Sequence, residues 1–183
     1  KHTLIASTSS VYGSNTEMPF LENQKTDNQQ SFYAATKKAC EVLSHSYSHI
    51  YNLPITNFRF FTVYGPWGRP DMAPMIFANS IINNKEIKLF NFGRSLRDFT
   101  FIDDVVESIY KCALKIPSIN NQINTENQSL LKSPKFKVFN VGNSSPVILN
   151  DFINLIEKKL NKQAKKVYLP LEPGDVQNTF SCG

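Results

Sequence analysis

Ala6-Ser7-Thr8-Ser9-Ser10-Val11-Tyr12-Gly13 and Tyr33-Ala34-Ala35-Thr36-Lys37 are the two segments from which the architecture of this chain follows. The first reads as the end of a buried strand running into a hydroxyl-rich turn. The second reads as the opening of a helix, with Ser31 as its N-cap and its body from Phe32 or Tyr33 to about Tyr51. Helical residues four apart share a face, so the spacing predicts the Lys37 ammonium beside the Tyr33 phenol. A nearby cation favours the charged form of an acid, and a phenolate is a usable general base. Thr8 is placed to orient a substrate hydroxyl for it. Taken alone, the Tyr-x3-Lys spacing is equally compatible with a solvated helix pair.

Outward from these segments the pattern alternates. His2–Ala6 and Ile55–Phe61 read as strands on either side of the helix, the βαβ arrangement of a parallel sheet. Residues 14–31 are polar and without periodicity, a surface loop. Thr62 to Pro74 holds two glycines, three prolines and the single Trp, which makes a shaped loop where such sheets bind ligands. Then follow a helix from Met75 to Asn84, a strand Ile87–Phe90, a turn at 91–95 and a strand Arg97–Ile102. A helix from Asp104 to about Lys115, capped by Asp103, comes next. Residues 116–134 read as a loop, Phe136–Val141 as a strand, Asp151–Leu160 as an amphipathic helix and Val167–Leu169 as a last strand.

At 183 residues and 41% apolar content, the chain can build a core of one domain or two small ones. Its formal charge is +5. Lys158, Lys159, Lys162, Lys165 and Lys166 read as a solvated helix face rather than a nucleic-acid patch, so no nucleic acid is expected as partner. There is no run of eighteen apolar residues, so no membrane span is expected. The start reads as a strand rather than a signal peptide, and Cys40, Cys112 and Cys182 read as free thiols. Cytoplasmic placement is the expectation. His45 and His49 lie four apart with no third ligand, so no metal is expected.

The paired segments resemble the short-chain dehydrogenase/reductase family in its extended sugar-nucleotide branch. There a Ser or Thr three residues before Val-Tyr-Gly precedes the Tyr-x3-Lys tyrosine by about 25 positions, and here Thr8 precedes Tyr33 by 25. The resemblance extends over nearly the whole chain: Tyr33–Lys38, the block Arg59-Phe60-Phe61-Thr62-Val63-Tyr64-Gly65-Pro66-Trp67-Gly68-Arg69-Pro70-Asp71-Met72, Arg97–Asp104, and Pro173-Gly174-Asp175-Val176 look like UDP-glucuronate 4-epimerases, enzymes of capsule and lipopolysaccharide biosynthesis. It implies an α/β fold: the C-terminal part of a Rossmann-like parallel sheet with a small α/β substrate-binding subdomain. The segments would be 1–63, the later half of the Rossmann-like domain with the catalytic helix; 64–97, substrate-binding; 98–141, a return to the sheet; and 142–183, the substrate-binding subdomain, truncated.

The family carries a Gly-rich dinucleotide loop within about a hundred residues ahead of this point. No Gly-x-Gly-x-x-Gly or Gly-x-x-Gly-x-x-Gly occurs among the seven glycines here. The expectation is therefore a piece of a longer enzyme, inactive alone and prone to self-association through uncovered faces.

What the resemblance implies chemically is a transient oxidation at C4 of a UDP-sugar. Tyr33 takes the proton of the 4-hydroxyl as C4 gives a hydride to NAD; the flat 4-keto sugar turns over, and hydride and proton return. NAD is thus the implied cofactor, with Ser7, Tyr33, Lys37 and the main chain near Phe61 as its contacts. Thr8, Ser9, Thr62, Arg69, Arg97 and Asp175 are the implied substrate contacts. Arg69 would clamp the C6 carboxylate with two parallel hydrogen bonds, holding a decarboxylation-prone β-keto acid fixed. Its alternative is a surface loop arginine. Arg97 would hold the diphosphate or ribose, or else pair with Asp98; Asp175 would accept from ribose hydroxyls, or else cap a turn. The related dehydratases and decarboxylases carry acids after the Thr, whereas Ser9 and Ser10 stand here, which favours plain epimerisation. Glu172 stands where the family usually has Gln, and the Asp often found after Pro-Gly-Asp is missing from the end of the chain. A UDP-N-acetylhexosamine or its uronic acid is the alternative substrate; a non-catalytic UDP-sugar-binding fragment is the alternative of another class. The family's helix corresponding to 32–51 also pairs with its copy, implying a homodimer.

Overall fold

The computed structural model describes residues 1–118, 134–171 and 178–182. It divides into two compact units: residues 1–16, 21–60 and 104–141, and residues 17–20, 61–103 and 142–183.

The first unit is built on a parallel sheet. β1 (Thr3–Thr8) runs into a 3-10 turn at Ser9–Tyr12; α1 (Phe32–Tyr51) follows, then β2 (Ile55–Phe60). Ser31 caps α1 as the sequence leads one to expect, its side chain accepting from the Ala34 amide at 3.1 Å. β2 lies between β1 and β6 (Phe136–Val141), with Thr8 opposite Phe60 and Phe60 opposite Val141.

As a central strand β2 is nearly all buried, yet it carries Thr56, Asn57 and Arg59. α1 answers them with a polar stripe. Ala34, Glu41, Ser44 and Ser48 are its buried residues, and the Asn57 amide donates to Ser44 Oγ at 2.8 Å. Its apolar residues face away: Phe32 is 94% exposed, and Val42, Leu43, Tyr47, Ile50 and Tyr51 are more than half exposed. The usual amphipathic arrangement is inverted on this helix.

The second unit holds β3 (Thr62–Tyr64), α2 (Ala73–Ile82), β4 (Glu86–Leu89) and β5 (Leu96–Phe101). α3 (Ile102–Leu114) follows β5 directly and from Asp104 on belongs to the first unit. The helix starts at Ile102, so Asp103 stands inside its first turn instead of capping it. β7 (Pro146–Ile148), α4 (Leu149–Leu160), β8 (Lys165–Tyr168) and β9 (Asn178–Thr179) complete the unit. β5 pairs parallel with β3 and β9 and antiparallel with β7; β4 pairs parallel with β8. Here the core is conventional. Phe77 and Ile81 of α2, Ile87 and Leu89 of β4 and Ile153 of α4 form one apolar cluster.

One buried carboxylate staples this unit. Asp98, wholly buried in β5, accepts from the Asn143, Ser144 and Ser181 amides at 3.0, 3.1 and 3.2 Å and from the Ser181 hydroxyl at 3.0 Å. The expected loop at 116–134 falls for the most part outside the described residues, as do Glu172 and Asp175.

Candidate active site

In the first unit the hydroxyl cluster and the helix opening hold Ser7, Thr8, Ser9, Tyr33 and Lys37. Thr8 is the last residue of β1 and caps the 3-10 turn: its Oγ1 accepts from the Ser10 amide and donates to Ser10 Oγ, both at 3.2 Å. The turn ends at Gly13, with φ +56°, where an added Cβ would lie 1.9 Å from the Asn28 carbonyl oxygen. Only glycine fits there. The turn holds Thr8 nearly buried and Ser9 half-buried. Tyr33, in the first turn of α1, is 54% exposed. The Lys37 ammonium lies 6.0 Å from the centroid of that ring and donates to the Ala6 carbonyl at 3.1 Å. That bond ties the helix to β1 two residues before Thr8 and leaves two ammonium protons for other acceptors.

Behind this group lies a buried network that the sequence pattern did not single out. Arg59 Nε and Nη2 donate to Glu41 Oε1 and Oε2, each at 2.9 Å, and both side chains are about 5% exposed. The Ser7 hydroxyl donates to Glu41 Oε1 at 2.6 Å, so Ser7 is buried and its side chain is engaged. The Arg59 guanidinium stands 4.8 Å over the Tyr12 ring, and the Tyr12 hydroxyl donates to Asn140 Oδ1 at 2.7 Å.

Burial pushes the Glu41 carboxyl up, but the hydrogen bonds from Arg59 and Ser7 outweigh it and hold the group below the usual carboxylate range. Burial alone would lower Arg59; its contacts with Glu41 and Tyr12 raise it instead. Burial raises the Tyr12 phenol against the opposing pull of Arg59. A signal for this network was present. Tyr33, Lys37, Glu41, Ser44 and Ser48 fall at steps of four, four, three and four, one continuous helical face.

In the second unit, Phe61 is buried and lies 6.5 Å from the Phe20 ring, and the half-buried Thr62 opens β3 opposite Phe99. The loop after β3 is two successive turns, closed by Gly68 N to Gly65 O and by Met72 N to Arg69 O, each 3.1 Å. Gly65 has φ +136°, and a Cβ there would meet Ile102 Cγ2 at 2.5 Å. Trp67 adopts φ +61° and is fully exposed. The loop borders a pocket of about 260 Å³ lined by Phe61, Val63, Tyr64, Met72, Ile102 and Arg69. The Arg69 Nε donates to Asp71 Oδ1 at 2.7 Å, and its Nη2 lies 3.4 Å from Met72 Sδ. Arg97, half-buried in β5, donates from Nη1 to its neighbour's carbonyl, that of Leu96, at 3.0 Å. Asp175 lies outside the described residues.

Each unit therefore gathers its own share of the sequence-derived residues: Ser7, Thr8, Ser9, Tyr33 and Lys37 in the first, Phe61, Thr62, Arg69 and Arg97 in the second. The Tyr–Lys pair beside a Thr-capped strand end suits the nicotinamide end of a dinucleotide. The described residues hold no glycine-rich phosphate loop to go with it.

A parallel α/β sheet with a Tyr-x3-Lys helix set against a Ser/Thr strand end defines a Rossmann-like, short-chain-reductase type of protein. The family of NAD dependent epimerases/dehydratases matches residues 1–125, and the chain belongs to it. NAD is the cofactor of that class. A protein described as a probable UDP-glucuronate 4-epimerase from Rhizobium meliloti is 46% identical over 183 residues, 99% of this chain and 54% of the relative. Protein CapI of Staphylococcus aureus is 48% identical over 182 residues, again 99% and 54%. Among solved structures, UDP-glucuronic acid 4-epimerase from Bacillus cereus, in complex with UDP-glucuronic acid and NAD, superposes with a TM-score of 0.79 at 31% identity, over 98% of this chain and 52% of that one. The chain thus spans about half the length of the curated relatives it matches. Among the described residues no helix is long and apolar enough to cross a membrane.

Proposed function

We propose that the whole protein interconverts UDP-glucuronate and UDP-galacturonate at C4, in the cytoplasm. The observation that carries the chemistry is Tyr33 with the Lys37 ammonium 6.0 Å from its ring and anchored to β1. The substrate is argued from relatives described as UDP-glucuronate 4-epimerases and from an arginine at the rim of a pocket.

In the first unit, Tyr33 removes the proton of the sugar 4-hydroxyl and later gives it back. Lys37 supports the phenolate with charge and reaches the cofactor's ribose with its remaining protons. Thr8 donates to or accepts from the 4-oxygen, and Ser9 lies next to it in the turn. Tyr33, Lys37, Ser7 and the main chain near Phe61 would hold NAD, which when bound accepts and returns the hydride. With its hydroxyl proton held by Glu41, Ser7 can serve through its backbone or as a side-chain acceptor. In the second unit, Arg69 and Thr62 take the uronate carboxylate, and Arg97 and Asp175 the UDP portion. The substrate-binding parts are drawn from residues 64–97 and 142–183. The exposed apolar row of α1, Phe32, Val42, Leu43, Tyr47 and Ile50, supports docking of a second copy to give a homodimer.

The test follows the anomeric proton signals of UDP-glucuronate and, separately, UDP-N-acetylglucosamine incubated with the whole protein. New signals from the glucuronate alone, abolished by Tyr33→Phe, are expected. Turnover of the acetamido sugar instead would move the substrate. Turnover that survives Tyr33→Phe would remove Tyr33 from its role.

A further inference from the structure

The Arg69 guanidinium already holds a carboxylate. Asp71, two residues on and inside the same hydrogen-bonded turn, presents Oδ1 to Nε at 2.7 Å. The contact uses one oxygen and one nitrogen, whereas a guanidinium can offer a carboxylate two parallel bonds. The next contact of the group, Met72 Sδ at 3.4 Å, is with a weak acceptor. Both partners are well exposed, 70% for Arg69 and 65% for Asp71, so water and ions reach the pair and little free energy holds it closed.

Building on the carboxylate-binding role proposed above for Arg69, we propose that Asp71 tempers the preference of this site for a charged sugar: it is an internal stand-in that occupies the guanidinium until a ligand carboxylate displaces it. The exchange favours a uronate, which replaces one bond with two. A neutral sugar has nothing to offer in return for breaking the pair, so the arginine stays with Asp71. The turn enforces the competition. Arg69 and Asp71 are fixed within one turn closed at 3.1 Å, so the internal carboxylate is always at hand. Asp71 thereby sets the affinity for the charged sugar below what Arg69 alone would give, and leaves the neutral sugar unaffected.

Dissociation constants of the whole protein for UDP-glucuronate and UDP-glucose, measured by calorimetry, test this in the unaltered protein, Asp71→Asn, Arg69→Ala and the double variant. Asp71→Asn is expected to tighten UDP-glucuronate roughly two- to five-fold, the size of an exposed ion pair, with UDP-glucose unchanged. The gain should vanish in the Arg69→Ala background. Weaker UDP-glucuronate binding in Asp71→Asn would make Asp71 a support that orients Arg69, and would overturn the proposal. Tightening that persists without Arg69 would reduce it to general charge repulsion, and overturn it as well. If Arg69→Ala weakens both ligands equally or neither, the carboxylate clamp itself fails; if it weakens only the uronate while Asp71→Asn changes nothing, the clamp stands and the stand-in falls.

Discussion

Two arginine–carboxylate pairs, ten residues apart in the arginine, behave as opposites. Arg59 and Glu41 are about 5% exposed, joined by two bonds of 2.9 Å, and backed by Ser7 and the Tyr12 ring. Arg69 and Asp71 are 70% and 65% exposed and share one. The first arginine is spent on architecture: it fixes helix α1 to β1 and β2, and with them Tyr33, Lys37 and Thr8. The second is held loosely enough to be taken by something else. The same side-chain chemistry gives a fastening or a loose pair according to how much water reaches it.

The contrast can be broken most strongly at Glu41. Glu41→Gln leaves the Arg59 charge buried without its counter-charge and should cost about 3–5 kcal/mol, a large share of a domain's stability. Denaturant unfolding followed by circular dichroism reads this; a loss below about 1 kcal/mol would mean that water reaches the pair.

Acid should act next. The Glu41 carboxyl is depressed in the folded state, so its contribution is complete above the unfolded value of about 4.3 and lost as pH falls through the lower folded value. Stability measured from pH 6 downward should fall below about pH 4, and Glu41→Gln should remove that part of the slope. A slope identical in both proteins would contradict the assignment.

A smaller effect is expected at the exposed pair, and of a different kind. Arg69→Ala should weaken UDP-glucuronate binding by about 1.5–3 kcal/mol, the range for hydrogen bonds to a charged group. The same substitution should change the unfolding free energy by less than about 1 kcal/mol. A large loss of stability there would erase the distinction between the two pairs.

Much of the fold could be read from the sequence where propensity and burial agree. α1 was placed by its Ser31 cap, and α4 by its amphipathic pattern over Asp151–Leu160. In α4 the buried Ile153 packs with Phe152 and Ile156 in the apolar cluster, whereas Leu155 is 58% exposed. α1 defeats the same reasoning about which face is covered, because Asn57 and Arg59 on β2 need hydrogen-bonding partners and the helix supplies Glu41 and Ser44. The short strands β3, β7 and β9 escaped notice because two or three residues show no period. The Tyr33–Lys37 pair was legible through i, i+4 geometry. The Glu41–Arg59 pair was hidden because its partners lie 18 residues apart on different elements. Phe20, in a stretch read as surface loop, is buried through bonds with Phe180 and Cys182 that no local pattern announces.

The Asp98 staple sets a timetable. Its partners are 45, 46 and 83 residues further along the chain. At roughly 5–20 residues per second on the ribosome, the last of them arrives about 4 to 17 seconds after Asp98 itself. Through that interval a carboxylate destined for a dry interior remains in water, short of at least half of its four donors. The bonds of Glu41, by contrast, need nothing beyond residue 59. The clasp on β5 is complete only after Ser181 has been made, and a stall in translation between residues 144 and 181 would leave it half-formed.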